Sequence, residues 1–191
     1  MARLQDLLPS FQTVGCDLYR GRMVSVHGGN LSVKLGNNLC ITRRGSRLGC
    51  LALSDLVETG VDKDDVNTTL ASSELAVHRA IYRQTEASAI IHAHPTYTVV
   101  LSFAAEKIKP LDIEGRLLLK EIPVVGFGQE PMPGEYAPEI SQALKQFPIA
   151  VVYGHGSFAR GATLSEAYTI TAMLEESCCI LYMRMMLNLK L

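Results

Sequence analysis

The chain has 191 residues, 48% of them hydrophobic, and its 18 Lys and Arg against 19 Asp and Glu leave a net charge of −1. That length and apolar content support one compact domain over residues 1–191. No stretch interleaves basic residues with aromatics as a nucleic-acid groove requires. The N-terminus lacks an apolar run and the C-terminal apolar stretch is broken by Glu166, Glu175 and Glu176, so neither a signal peptide nor a membrane span is expected. Cys16, Cys40, Cys50, Cys178 and Cys179 show no CxxC spacing and read as the reduced thiols of a cytoplasmic protein.

Leu4, Leu7, Leu8, Phe11, Val14 and Leu18 recur at helical spacing and predict an opening amphipathic helix that stops near Gly21, with Pro9 interrupting its first half. Leu31–Leu35 and Leu39–Thr42 flank Gly36-Asn37-Asn38 and read as a hairpin, followed by a loop at Arg43-Arg44-Gly45-Ser46. Ala71-Ser72-Ser73-Glu74 precedes a helical run through Leu75, Val77, His78, Ile81 and Tyr82. A serine is expected to cap that helix, with Glu74 in its first turn.

A strand then runs through Ala89-Ile90-Ile91 into His92-Ala93-His94, and Pro95 suits the first turn of a helix carrying Val99, Val100 and Phe103. Ile122–Val125 predicts a strand, Glu139–Phe147 a helix and Ile149–Tyr153 a strand. Ile170, Leu174, Cys178, Leu181 and Met185 mark a long closing helix with one apolar face. Irregular alternation of helices and strands with at least one hairpin points to an α/β domain with a mixed sheet, not a doubly wound parallel one.

Side chains alternate along a strand, so His92 and His94 face one side and can share an ion. Histidines at strand ends also serve packing and hydrogen bonding, so the pair alone leaves two readings open. His155, in Tyr153-Gly154-His155-Gly156 behind the next apolar strand, adds weight to a three-histidine site with one position open, the arrangement of a catalytic rather than a structural zinc. The glycines beside it let backbone approach a ligand or form a tight turn.

Glu74 offers a fourth ligand or a base, although a helix dipole alone favours a carboxylate there. Ser72 and Ser73 with the helix N–H groups can bind a phosphate or simply cap the helix. His78, four residues after Glu74, is either a metal neighbour or a structural histidine.

Taken in order, Gly29-Asn30-Leu31-Ser32-Val33, Ile41-Thr42 with Gly45, Ser72-Ser73-Glu74, His92-Ala93-His94-Pro95 and His155-Gly156 resemble the class II aldolase/adducin family, from the first helix to the last. The resemblance implies a three-layer α/β/α domain around a mainly antiparallel sheet, and a homotetramer with active sites between subunits. It implies that His92, His94 and His155 hold one zinc ion per subunit, and that Glu74 ligates the metal and acts as acid/base. Asn30, Gly45, Ser72 and Ser73 match the phosphate-binding positions.

The implied reaction is reversible cleavage of a ketose 1-phosphate, such as L-fuculose 1-phosphate, to dihydroxyacetone phosphate and an aldehyde through a metal-stabilised enediolate. A pentulose-phosphate 4-epimerase, a methylthioribulose-phosphate dehydratase and a non-catalytic adducin-like interaction domain are the alternatives within the family. Two departures stand out. Arg44 occupies the place where relatives usually carry Ser or Thr before the loop glycine, and either clasps the phosphate or points to solvent. The segment Pro110–Gly115 lacks the family's acid tyrosine, leaving Asp112 or Glu114 as candidates for that space or as ordinary surface charges.

Overall fold

A computed structural model describes residues 2–129, 132 and 134–187. The opening helix α1 (Ala2–Arg20) runs through Pro9. Pro9 is exposed, so the carbonyl left unpaired one turn earlier faces water, and Phe11, Val14 and Leu18 fix the helix by burying its other face.

Strands β1 (Asn30–Leu35) and β2 (Asn38–Thr42) form the expected hairpin. Leu35 pairs with Asn38, so the turn holds two residues, with Gly36 at φ +69° supplying the conformation a type II′ turn needs first. Asn38 therefore belongs to β2 instead of the turn.

The remaining elements are β3 (Leu56–Gly60), α2 (Leu75–Gln84), β4 (Ala89–Ala93), α3 (Thr96–Ser102), β5 (Lys107–Ile108), α4 (Ile113–Leu118), β6 (Ile122–Val125), α5 (Ala137–Ala143), β7 (Ile149–Val152), β8 (Gly156–Gly161) and α6 (Leu164–Met186). The eight strands lie in the order β3-β2-β1-β4-β8-β7-β6-β5. Every pairing is antiparallel except β6 with β7, which makes the sheet mixed and mainly antiparallel, as expected.

Alternation along the strands sends Leu31, Ile91 and Ala159 into a core with α1, α3 and α6, while Ile90, Ala150 and Phe158 pack with Val77, Ile81 and Ile140 of α2 and α5 on the other face. Helix, sheet and helix thus form three layers. All five residues of β4 are buried, and β1 and β8 pair with its two edges, which puts His92 in the middle of the sheet and His94 just past the end of its strand.

Several boundaries differ from the reading of the sequence. Helix α5 begins two residues early, where Pro138 fits a first turn, and ends at Ala143. Met185 is exposed, and the buried face of α6 runs through Leu164, Ala167, Thr171, Leu174 and Cys178. No disulfide joins the five cysteines. Among the described residues, no helix is long and apolar enough to cross a membrane.

Candidate active site

His92 lies in β4 on the α2/α5 side of the sheet, opposite Asn30 of β1 and Phe158 of β8. Its ring stacks on Phe158, with centroids 4.1 Å apart and planes 15° from parallel. Nδ1–H of His92 donates to the Ser157 carbonyl at 3.0 Å, which leaves Nε2 with its lone pair. His94 follows the strand and brings its own Nε2 to 2.9 Å from that of His92.

His155 is not at a free strand end. It sits in the three-residue turn Tyr153-Gly154-His155 between β7 and β8, closed by the pair Val152 and Gly156, and Gly154 adopts φ +64° there. The flanking Gly156 serves His94: a Cβ on it would lie 2.7 Å from His94 Cδ2 and closer still to the Ala93 carbonyl. A Cβ on Gly28 would lie 2.9 Å from His94 Nδ1. Absent side chains at two places thus make room for one imidazole.

The three histidines present ligand atoms all within 4.8 Å of one another. A tetrahedral ion with nitrogens at about 2.0–2.1 Å sets them about 3.4 Å apart, so the cluster fits a small divalent ion after shifts of an ångström or so. Burial holds all three rings neutral. It pushes His94 to about 4, with help from the neighbouring His155, and puts His92 well below the usual imidazole range. Neutral imidazoles are the form that binds metal.

Glu74 lies at the N-cap position of α2, one residue outside the expected first turn, and its carboxylate caps no helix N–H. Nor does a serine cap α2: Ser72 Oγ instead accepts from the Glu74 N–H at 3.3 Å, just ahead of the helix. The Glu74 side chain points into the site, 5% exposed, where the Tyr136 hydroxyl donates to Oε1 at 2.8 Å. Burial raises its pKa, and the tyrosine hydrogen bond opposes that rise. The second oxygen, Oε2, is buried with no hydrogen-bond partner among the described residues.

Tyr136 was not foreseen from the sequence. Its hydroxyl proton goes to Glu74, so the 3.0 Å contact with His155 must be donated by Nδ1–H of the imidazole, which frees His155 Nε2. One buried phenol thus joins the carboxylate to the third histidine and sets that ring's tautomer. Irregular chain just ahead of α5 carries it, with no periodicity to mark it as special.

A cavity of about 300 Å³ brings Glu74 and the three histidines together with Asn30, Arg44, Gly45, Ser72 and Ser73, so all the expected site residues line one space, joined by His27, Gly28, Gly29, Arg43 and Ser46. The loop holding Gly45 is pinned to the segment before α2: Arg44 N–H donates to the Leu70 carbonyl, and Ser72 N–H to that of Thr42. His27 Nδ1 donates to the Gly45 carbonyl at 2.9 Å. The Arg43 guanidinium is tied to the Ser54 carbonyl, whereas Arg44 is exposed at the cavity wall. Asp112 and Glu114 line a different cavity beside α6, and Asp112 caps α4, so within one chain neither stands in for the missing tyrosine.

Residues 11–182 match the Class II Aldolase and Adducin N-terminal domain. The chain belongs to this family. It is 32% identical to the L-fuculose phosphate aldolase of Methanocaldococcus jannaschii over 83% of this chain and 86% of that protein. The structure superposes on the L-fuculose-1-phosphate aldolase of Thermus thermophilus with a TM-score of 0.89 and 36% identity, covering 100% of this chain and 99% of that one.

A Nocardia farcinica protein named as a probable bifunctional methylthioribose-1-phosphate isomerase/methylthioribulose-1-phosphate dehydratase is 27% identical over 85% of this chain, which spans only 33% of that protein. This class II aldolase is thus an enzyme of the lyase kind, with a three-histidine group suited to a metal ion.

Proposed function

We propose that the chain is a zinc-dependent aldolase that reversibly cleaves a ketose 1-phosphate, such as L-fuculose 1-phosphate, to dihydroxyacetone phosphate and an aldehyde. The observation that carries this reading is the meeting, in one cavity, of three neutral imidazoles, a buried carboxylate and a wall of N–H and O–H donors. His92, His94 and His155 would hold the ion. Bound there, it supplies positive charge that draws electrons toward the substrate's carbonyl oxygen.

The chain's own groups do the rest. Asn30, Gly45, Ser72 and Ser73 hold the phosphate, with Arg44 adding a full positive charge at the rim. Glu74 moves a proton at the carbon that becomes the hydroxymethyl carbon of dihydroxyacetone phosphate, through Oε2, the oxygen left free of hydrogen bonds. Tyr136 keeps the other oxygen fixed, so the carboxylate cannot rotate away between turnovers. Glu74 also serves as a fourth metal ligand when no substrate is present.

The same reading makes the working form a homotetramer with sites between subunits. Exposed Phe103 and Phe127 support it, because both pack edge-on against Tyr153, in the turn that carries His155. Light scattering of the purified protein at four times the chain mass is the expected result, and a monomer would remove this part.

The activity is tested with zinc-replete protein on ketose 1-phosphates, ribulose 5-phosphate and methylthioribulose 1-phosphate, with release of dihydroxyacetone phosphate as readout. Triose phosphate from the ketose 1-phosphates alone supports the aldolase. Epimerisation or dehydration without it would replace the reading.

A further inference from the structure

Behind the donor wall of the cavity, four buried side chains form one hydrogen-bonded line, of which the proposed reaction uses only Asn30. His78 and Tyr82 are one turn apart on the inner face of α2, and Asn30 and Ser32 are two residues apart on the facing side of β1, so the two periodicities bring them into register. Tyr82 Oη lies 2.7 Å from Ser32 Oγ, Ser32 Oγ 2.6 Å from His78 Nδ1, and His78 Nε2 2.6 Å from Asn30 Oδ1. Ser32 and His78 are fully buried, and Tyr82 and Asn30 nearly so.

Burying four polar side chains where apolar ones would pack costs stability unless every group is satisfied, so the line calls for a use. Proton accounting gives it a direction. The amide oxygen of Asn30 only accepts, so His78 carries its proton on Nε2 and donates it there. Burial keeps His78 from taking a second proton, pushing its pKa to about 3. Nδ1 therefore accepts from the Ser32 hydroxyl, and Ser32 in turn accepts from Tyr82.

At the far end, Asn30 lines the cavity, and among the described residues no hydrogen bond is seen from its amide nitrogen. Its backbone is held by pairing with His92, so the amide sits at a fixed place beside the histidine cluster.

We propose that His78 is a positioning residue: with its Nδ1 taken up by the Ser32 hydroxyl, its Nε2–H locks the Asn30 amide with both N–H donors turned toward the bound phosphate. Without that lock the amide rotates by half a turn and offers its oxygen to an anion, which repels it. The inference rests on the proposed phosphate role of Asn30, and the experiment separates the two.

The probe is inorganic phosphate, titrated calorimetrically into the zinc-loaded protein. Asn30→Ala and His78→Leu are each expected to weaken phosphate binding by about 10- to 100-fold, the value of hydrogen bonds to a charged group. The double variant should be no weaker than Asn30→Ala, because His78 acts only through Asn30. His78→Gln, whose amide can replace the Nε2–H, is expected to restore binding to within about threefold, whereas a merely structural role would show no such rescue.

With the ketose phosphate, the loss should appear in KM, with kcat nearly unchanged. Phosphate binding that survives Asn30→Ala would remove Asn30 from the phosphate site and the proposal with it. Binding lost in Asn30→Ala but kept in a folded His78→Leu would overturn the positioning role alone. Should His78→Leu fail to fold, nitrogen NMR of the wild-type His78 ring decides: a proton on Nε2 supports the lock, and a proton on Nδ1 overturns it.

Discussion

Tyr136→Phe removes a single oxygen yet touches both halves of the proposed machinery. Its hydroxyl donates to Glu74 Oε1 at 2.8 Å and accepts from His155 Nδ1 at 3.0 Å, and the residue is 3% exposed, so no water stands ready to replace it. A hydrogen bond to a charged group is worth about 1.5–3 kcal/mol, and about 1.4 kcal/mol corresponds to one pKa unit. With no partner seen for Oε2 among the described residues, the Glu74 carboxylate would lose the hydrogen bond it receives from Tyr136, and its pKa should rise further.

Glu74 works as a base only when ionised and, on this reading, leaves the metal when substrate binds, so the acid limb of the kcat profile, which reports the substrate complex, should move to higher pH. Loss of the acceptor that holds His155 Nδ1–H should weaken metal binding by about 10- to 100-fold. Both follow from one variant: the rate profile from initial velocities across pH, the affinity from competition with a chelator. A folded Tyr136→Phe protein with the wild-type acid limb and wild-type metal affinity would refute the reasoning.

Further expectations follow from the same geometry. Glu74→Gln should retain most of its metal, because the three imidazoles are untouched, but lose turnover by about a hundredfold or more, read by metal analysis beside the dihydroxyacetone phosphate assay. Gly156→Ala should lower both metal content and melting temperature, since its Cβ would strike His94 Cδ2 and the Ala93 carbonyl. Chemical denaturation of metal-free protein should show stability falling with acid. His78 has a folded pKa near 3 against about 6.5 when unfolded, so the unfolded chain binds the proton first. The stabilisation is whole above about pH 6.5 and is lost as pH falls toward 3, at up to about 1.4 kcal/mol per pH unit from this residue. His78→Gln should flatten that slope.

Much of the histidine cluster was legible because a strand alternates with period two. His92 and His94 had to share a side, and an apolar run ending in Gly-His-Gly marked a third imidazole near backbone. The structure changes the local reason: His155 is presented by a turn, and the glycine after it makes space for a different histidine. Strand β8 went unread because Gly156 and Gly161 bound it and Arg160 interrupts it, although the sheet buries all of it but Arg160.

Tyr136 was hidden for another reason. Its partners are 62 and 19 residues away, and no local pattern reports so distant a pairing. The line from Tyr82 to Asn30 lies between these cases. Spacings of four on a helix and two on a strand are visible in the sequence, but only the packing of α2 on β1 shows that they face one another.

The account stands on the three-histidine site, and metal content tests it most directly. Protein purified under metal-replete conditions, measured by elemental analysis beside His155→Ala, should hold about one divalent ion per chain in the wild type and much less in the variant. Less than about half an ion per wild-type chain, or equal content in both proteins, would contradict it.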